Sequence, residues 1–251
     1  MSAPALEARG LVRRFGGLIA TDDVSFQLAP GARQARIGPN GAGKTTLINL
    51  LTGVTRPSEG AVLLEGIDIT SLSSHERVRR GLGRTFQINQ LFPDLTPIES
   101  IGLAISERHD HGGDFWRVAG TRADIVDEID ELLTRFVLID AMDRPTRTLP
   151  YGKQRLLEIA LALACKPRVL LLDEPAAGVP EDERHDILAA LAALPKDVAI
   201  LLIEHDMDLV FNFATRISVL VSGRLLCEGD PKSIAADERV RAVYLGEDAH
   251  G

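Results

Sequence analysis

Three groups of residues in this chain are suited to phosphate chemistry. Gly38-Pro39-Asn40-Gly41-Ala42-Gly43-Lys44-Thr45 fits the pattern G-x-x-x-x-G-K-[ST], with Thr46 directly after it. Glycines at those positions let backbone N–H groups curl round a polyphosphate, a lysine supplies a cation, and a threonine hydroxyl can ligate Mg²⁺. Asp173 and Glu174 close a run of four apolar residues. Asp173 is placed to hold Mg²⁺ directly or through water, and Glu174 to orient or deprotonate an attacking water. His205 follows a second apolar run and could hold a terminal phosphate, or that water, through its ring N–H.

These groups need elements that bring them together. Gln34 to Ile37 reads as a strand ahead of the glycine loop, and Thr46 to Leu51 as a helix stopped at Gly53, so the order is strand, loop, helix. Val169 to Leu172 and Val198 to Ile203 read as buried parallel strands, with Asp173-Glu174 and Glu204-His205-Asp206 at their carboxyl ends. In an open α/β sheet the ligand sits beyond those ends, so all three groups are expected at one nucleotide. Upstream, Leu11 to Phe15 and Val24 to Leu28 are expected as strands joined through Gly16-Gly17, and on residue type alone Phe15 reads as core. Ser74 to Arg80, with Arg77, Arg79 and Arg80, reads as a solvated basic helix face. Thr96 and Pro97 suit the start of a helix, and Ile125, Ile129, Leu132, Leu133, Phe136 and Val137 recur at helical spacing. Helices therefore dominate from about Pro97 to Cys165, as a helical subdomain inserted between two pieces of an α/β core.

Composition narrows the function class. The 251 residues are 45% hydrophobic and 25% charged, ordinary for a globular protein with a substantial core. A net charge of −8 argues against a nucleic-acid surface. No run approaches the ~18 apolar residues of a membrane span, and the first nine residues lack an apolar signal core, so a cytosolic location is expected. Cys165 and Cys227 lack C-x-x-C spacing and read as buried free thiols. His109, Asp110, His111 and Asp114 lie in a polar passage expected to be an exposed loop rather than a metal site.

Over about Leu6 to Leu245 these motifs, in this order, resemble those of the ATP-binding subunits of ABC transporters. The resemblance implies an α/β fold: a P-loop NTPase core with a mixed sheet and flanking helices, an N-terminal antiparallel β subdomain and an inserted α-helical subdomain. It implies one domain over 1–251, with a core of about 1–92 and 166–251 and a helical subdomain of about 93–165. Residues 38–45 then match the Walker A loop, Val169 to Asp173 the Walker B strand, Glu174 the catalytic carboxylate and His205 the switch histidine. Phe15 falls where the family stacks an aromatic on adenine, which reverses the core reading. Gln87 matches the Q-loop glutamine, which also reaches the metal and the permease. Leu149-Pro150-Tyr151-Gly152-Lys153 matches the signature, which in the family touches the ATP held by a second subunit in a head-to-tail dimer. ATP is the implied substrate, Mg²⁺ the cofactor, and the inner face of the cell membrane the implied station, beside permease subunits and, indirectly, a solute-binding protein.

The subfamily resembled is that of bacterial branched-chain, or hydrophobic, amino-acid uptake, on Phe15-Gly16-Gly17-Leu18, Glu174-Pro175-Ala176-Ala177-Gly178, Ile203 to Met207 and Val243 to Glu247. Urea or amide importers and the lipopolysaccharide-export ATPase share parts of these. Non-transport ABC proteins of DNA repair or the ribosome usually carry a coiled coil or a second ATPase domain, and this chain has neither. Pro150 and Lys153 depart from the common serine and glutamine of the signature, and residues 176–180 lack the usual aspartate. Those departures point to slower hydrolysis, while the intact Glu174 and His205 weigh against ATP binding with little turnover.

Overall fold

The computed structural model describes residues 3–85, 91–109 and 123–245. In chain order its elements are β1 (Leu6–Phe15), β2 (Leu18–Leu28), β3 (Arg33–Ile37), α1 (Lys44–Thr52), β4 (Glu59–Leu64), β5 (Ile67–Asp68), α2 (Ser74–Arg79), β6 (Leu82–Arg84), α3 (Pro97–Arg108) and α4 (Ala123–Arg135). There follow α5 (Tyr151–Ala164), β7 (Val169–Asp173), α6 (Arg184–Ala192), β8 (Ala199–Ile203), α7 (Met207–Phe213), β9 (Arg216–Val221), β10 (Arg224–Gly229), α8 (Pro231–Ala236) and α9 (Glu238–Leu245). The chain divides into two compact units, the second formed by residues 83–167 and 175–195 and the first by the rest.

The first unit holds two sheets. An antiparallel sheet runs β2-β1-β4-β5, and five strands of a larger sheet run β10-β9-β3-β8-β7. Among these five strands β3 pairs in parallel with both β8 and β9, β7 pairs in parallel with β8, and β10 pairs antiparallel with β9. Strands β7 and β8 are almost wholly apolar because both of their faces are covered. Helix α1 supplies Leu47, Leu50 and Leu51 to a core shared with Leu6, Val24 and Val62 of the small sheet and Leu171 and Leu201 of the large one. That packing holds the start of α1, and hence the glycine loop, against the ends of β3, β7 and β8.

One expectation fails in an informative way. The basic stretch 74–80 is not all a solvated face, since Arg77 is 1% exposed. Its Nη1 donates to the carbonyls of Leu50 and Leu51 at 2.8 and 2.6 Å, its Nε to Leu72 at 3.1 Å and its Nη2 to Thr70 at 2.9 Å. The last carbonyls of a helix lack intrahelical donors, and a buried guanidinium satisfies those of α1. Gly53 makes room, because a Cβ there would sit 2.7 Å from Arg77 Nε. Burial lowers the Arg77 pKa to about 10, so the side chain still carries its charge at neutral pH. Arg77→Met strands these carbonyls and should destabilise the first unit by about 3 kcal/mol, with Arg77→Lys recovering only part. Thermal melting of the three proteins checks this.

Arg36, a charge inside β3, is also fully buried. It donates to Ser218, pairs with Glu228 at 3.5 Å and lies 4.2 Å from the centre of the Phe26 ring. An acidic partner and a cation–π contact thus hold it. Burial works against the Glu228 charge, but Ser218, Arg216 and Arg36 together keep its carboxyl below the usual range. Cys165 and Cys227 are free, and half-buried rather than buried as expected, with burial raising both thiol pKa values.

The second unit is helical among its described residues, apart from the end of β6. Thr96 caps α3 through a reciprocal pair with Glu99. Helix α4 buries Ile125, Ile129, Leu132 and Leu133, and Phe136 just beyond it is buried too, but Val137, expected on the same face, is 49% exposed because the chain leaves the helix at Arg135 and turns through a positive φ of 54°. Arg108 clasps Glu128 with two bonds of 2.7 and 2.8 Å, and Lys166 adds a second cation at 3.2 Å. No helix among the described residues is long and apolar enough to cross a membrane.

Candidate active site

Strand register assembles the site in the first unit. Arg36 of β3 lies opposite Ile203 of β8, which lies opposite Asp173 of β7, so the three strands finish level. The glycine loop, Glu174 and His205 therefore emerge along one edge. The N–H of Glu174 donates to the Ile203 carbonyl at 2.8 Å, extending the ladder one residue past β7.

The loop is held by close backbone packing. A Cβ on Gly38 would overlap the Leu220 carbonyl, and one on Gly43 the Ala20 carbonyl. Gly43 has φ 98°, a left-handed conformation that L side chains rarely adopt. The N–H of Gly223, in the turn between β9 and β10, donates to the Ala42 carbonyl at 2.9 Å. Lys44 folds back so that its Nζ donates to the carbonyls of Gly38 and, at 3.0 Å, Pro39. Gly43 caps α1 without a side chain, so the first-turn N–H groups are directed into the loop, a ready anion cradle. Pro39 is half-buried, Asn40, Gly41 and the Thr45 hydroxyl-bearing side chain are exposed, and Thr46 is half-buried behind them.

Glu174 has φ 48°, unusual for a residue with a side chain. Such conformations cost on the order of 1 kcal/mol and persist where the surroundings fix them, often at functional sites. Here β8 supplies the fixing bond. The His205 Nδ1 stands 3.9 Å from Glu174 Oε1 and 3.6 Å from Glu204 Oε2. Glu204 is a residue the sequence reading gave no role. Its buried carboxylate accepts from the N–H groups of His205 at 2.9 Å and Asp206 at 3.3 Å, fixing the backbone that carries the histidine. Asp206 then caps α7 by accepting from the Leu209 N–H at 3.1 Å, a signal legible as an acidic residue ahead of a helix.

Phe15 is 47% exposed, which corrects the core reading made from residue type. It pairs with Leu18 at the tip of the β1–β2 hairpin, two residues before Ala20, whose carbonyl abuts Gly43. The Arg13 guanidinium lies 4.5 Å from the ring centre. Gln87 falls outside the described residues, as do Asp110, His111 and Asp114.

In the second unit, Leu149 is buried and extended, and Pro150 is the N-cap of α5 without a side-chain bond. The sequence reading counted a lost hydroxyl there, and the structure supplies a substitute it missed. Glu183 Oε2 accepts the Gly152 N–H at 2.8 Å, as a cap from another element. Tyr151 is partly exposed beside Gly178, and Lys153 is tied to the Val137 carbonyl and, at 2.9 Å, to Asp140. The charge added by Lys153 is thereby neutralised within its own unit.

Residues 21–177 match the ABC transporter family, and residues 224–250 match the branched-chain amino acid ATP-binding cassette transporter family. The chain is 40% identical to the high-affinity branched-chain amino acid transport ATP-binding protein BraF of Pseudomonas aeruginosa, covering 98% of this chain and all of that protein. It is 38% identical to LivG of Escherichia coli, with the same description and coverage. Among solved structures, a nucleotide-free ATP-binding cassette from an ABC transporter superposes with a TM-score of 0.82 at 31% identity, over 97% of this chain and 99% of that one. A cassette of an ABC transporter in its ADP conformation gives 0.81 at 32% identity, over 98% and 99%.

Proposed function

The chain belongs to the ATP-binding subunits of ABC transporters, and from that membership we propose that it powers uptake of branched-chain or other hydrophobic amino acids. The observation that carries its ATP-hydrolysing part is the shared edge: a phosphate loop held by close backbone packing, a conformationally held carboxylate and a histidine at the ends of three strands in register.

Each residue has a task there. The loop amides and Lys44 grip the β- and γ-phosphates, and Phe15 stacks on the adenine. The Thr45 hydroxyl and the Asp173 carboxylate are hard oxygen donors at adjoining ends of α1 and β7, a donor set that fits Mg²⁺ together with phosphate oxygens and water. When bound, Mg²⁺ neutralises charge on the phosphates. Gln87 would be a further oxygen donor and the sensor of an adjoining permease. Glu174 orients the attacking water and takes its proton, and His205 donates its ring N–H towards the γ-phosphate.

A second copy, or a paralogous ATPase subunit, would pair head to tail so that Leu149 to Lys153 close over the ATP of its neighbour. The assembly would dock on permease subunits at the cytosolic face of the membrane, with a solute-binding protein on the other side. Reconstitution in liposomes with candidate permease and solute-binding proteins tests the solute. ATP-dependent accumulation of leucine, isoleucine or valine is expected. Uptake of urea or an amide alone, or outward movement of a lipid, would overturn the proposal.

A further inference from the structure

Glu183 is positioned as the N-cap of α6, yet its carboxylate makes no bond to its own helix. It reaches α5 instead and accepts the Gly152 N–H at 2.8 Å. The fit is close. A Cβ on Gly152 would overlap Glu183 Oε2 and stand 3.1 Å from Glu183 Cβ, so only glycine admits the carboxylate there. Neighbouring contacts hold the same segment: Arg155 donates to the Ala177 carbonyl at 3.4 Å, and a Cβ on Gly178 would come within 3.1 Å of the Tyr151 hydroxyl. With Pro150 offering no side-chain acceptor, a carboxylate oxygen occupies the second amide of a 14-residue helix. A phosphate oxygen would seek that same place, since both are anions bonded by a helix N-terminus.

We infer that Glu183 is a displaceable stand-in for the γ-phosphate, a latch whose negative charge sets how much ATP is needed before the signature helix closes on a partner's nucleotide. This rests on the head-to-tail reading above. ATP must replace the carboxylate at Gly152, and the two anions cannot share one N–H. The displaced side chain swings into water, which it already partly faces. Glu183 is thus a positioning residue: it touches no reacting atom and governs access to a donor.

Glu183→Gln separates the latch from a plain helix cap, because the amide oxygen can still accept the Gly152 N–H while the charge is gone. In the full-length chain carrying Glu174→Gln to prevent turnover, light scattering follows ATP-driven dimerisation. The added Glu183→Gln should lower the ATP concentration for half-maximal dimer about fivefold, since hydrogen bonds to a charged acceptor are roughly twice as strong as neutral ones. In the otherwise unaltered protein, Glu183→Gln should lower the ATP concentration for half-maximal hydrolysis and leave the maximal rate within about twofold. An unchanged or raised ATP requirement would overturn the latch and leave only a cap. A separate pair, Asn40→Cys on one copy and Tyr151→Cys on the other, should cross-link only with ATP. Failure of that cross-link would count against the head-to-tail arrangement itself, whatever Glu183 does.

Discussion

Glu174→Gln is expected to bind ATP as well as the parent chain and to hydrolyse it about 10²- to 10⁴-fold more slowly, the range lost with a general base. The substitution is nearly isosteric, keeps an oxygen that can face the water, and removes the proton acceptor. It also leaves the backbone bond from residue 174 to the Ile203 carbonyl, so the left-handed turn that aims the side chain survives. With the product-forming step slowed, ATP-bound dimer accumulates, and size-exclusion chromatography with and without nucleotide displays it. Equilibrium binding of a fluorescent ATP analogue supplies the other half of the test. Hydrolysis near the parent rate would assign the base elsewhere, and lost binding would mean that Glu174 supports the loop rather than the chemistry.

Gly43→Ala carries the second large effect, on binding rather than on turnover. At φ 98° an alanine is strained, and its Cβ overlaps the Ala20 carbonyl in β2. The backbone of β2 cannot yield without disturbing its pairing to β1, so the loop must move instead. A conformational penalty and an overpacking penalty combine to about 3 kcal/mol or more. Displacing the loop also turns the first-turn amides of α1 away from the phosphates. The expected result is ATP affinity reduced at least 100-fold, equivalent to about 2.7 kcal/mol, alongside a lower melting temperature. Calorimetric titration with ATP and thermal melting of the nucleotide-free protein measure the two parts. Wild-type affinity in Gly43→Ala would show that the loop is not rigidly held by β2.

Local pattern alone carried much of this protein. The loop 38–45 between a strand and a helix, and two apolar runs ending in Asp173-Glu174 and His205, are local in the chain, so composition and order were enough to place them at one edge of a sheet. The helical repeat of 125–136 was equally direct, because burial of one face leaves a 3.6-residue period in the sequence. What the sequence could not supply were partners distant in the chain. Arg77 looked like part of a solvated face until the carbonyls of α1, 26 and 27 positions earlier, were seen to need it. Arg36 found its acid 192 positions away, at Glu228. Phe15 was core by residue type and exposed in fact, because a hairpin tip has no second layer above it.

The site divides along the same line. The identities of its chemical groups are a property of the sequence, since each is a residue type at a fixed offset from a strand end. Their alignment is decided by the parallel register of β3, β7 and β8, which needs strands over a hundred residues apart to pair. The rigidity of the loop comes from the carbonyls of Ala20 and Leu220, and the hold on His205 from the buried carboxylate of Glu204. Pro150 read as a loss in the linear order, and the folded chain supplied Glu183, 31 positions beyond the Gly152 whose N–H it accepts, because a helix end accepts any oxygen that packing brings to it.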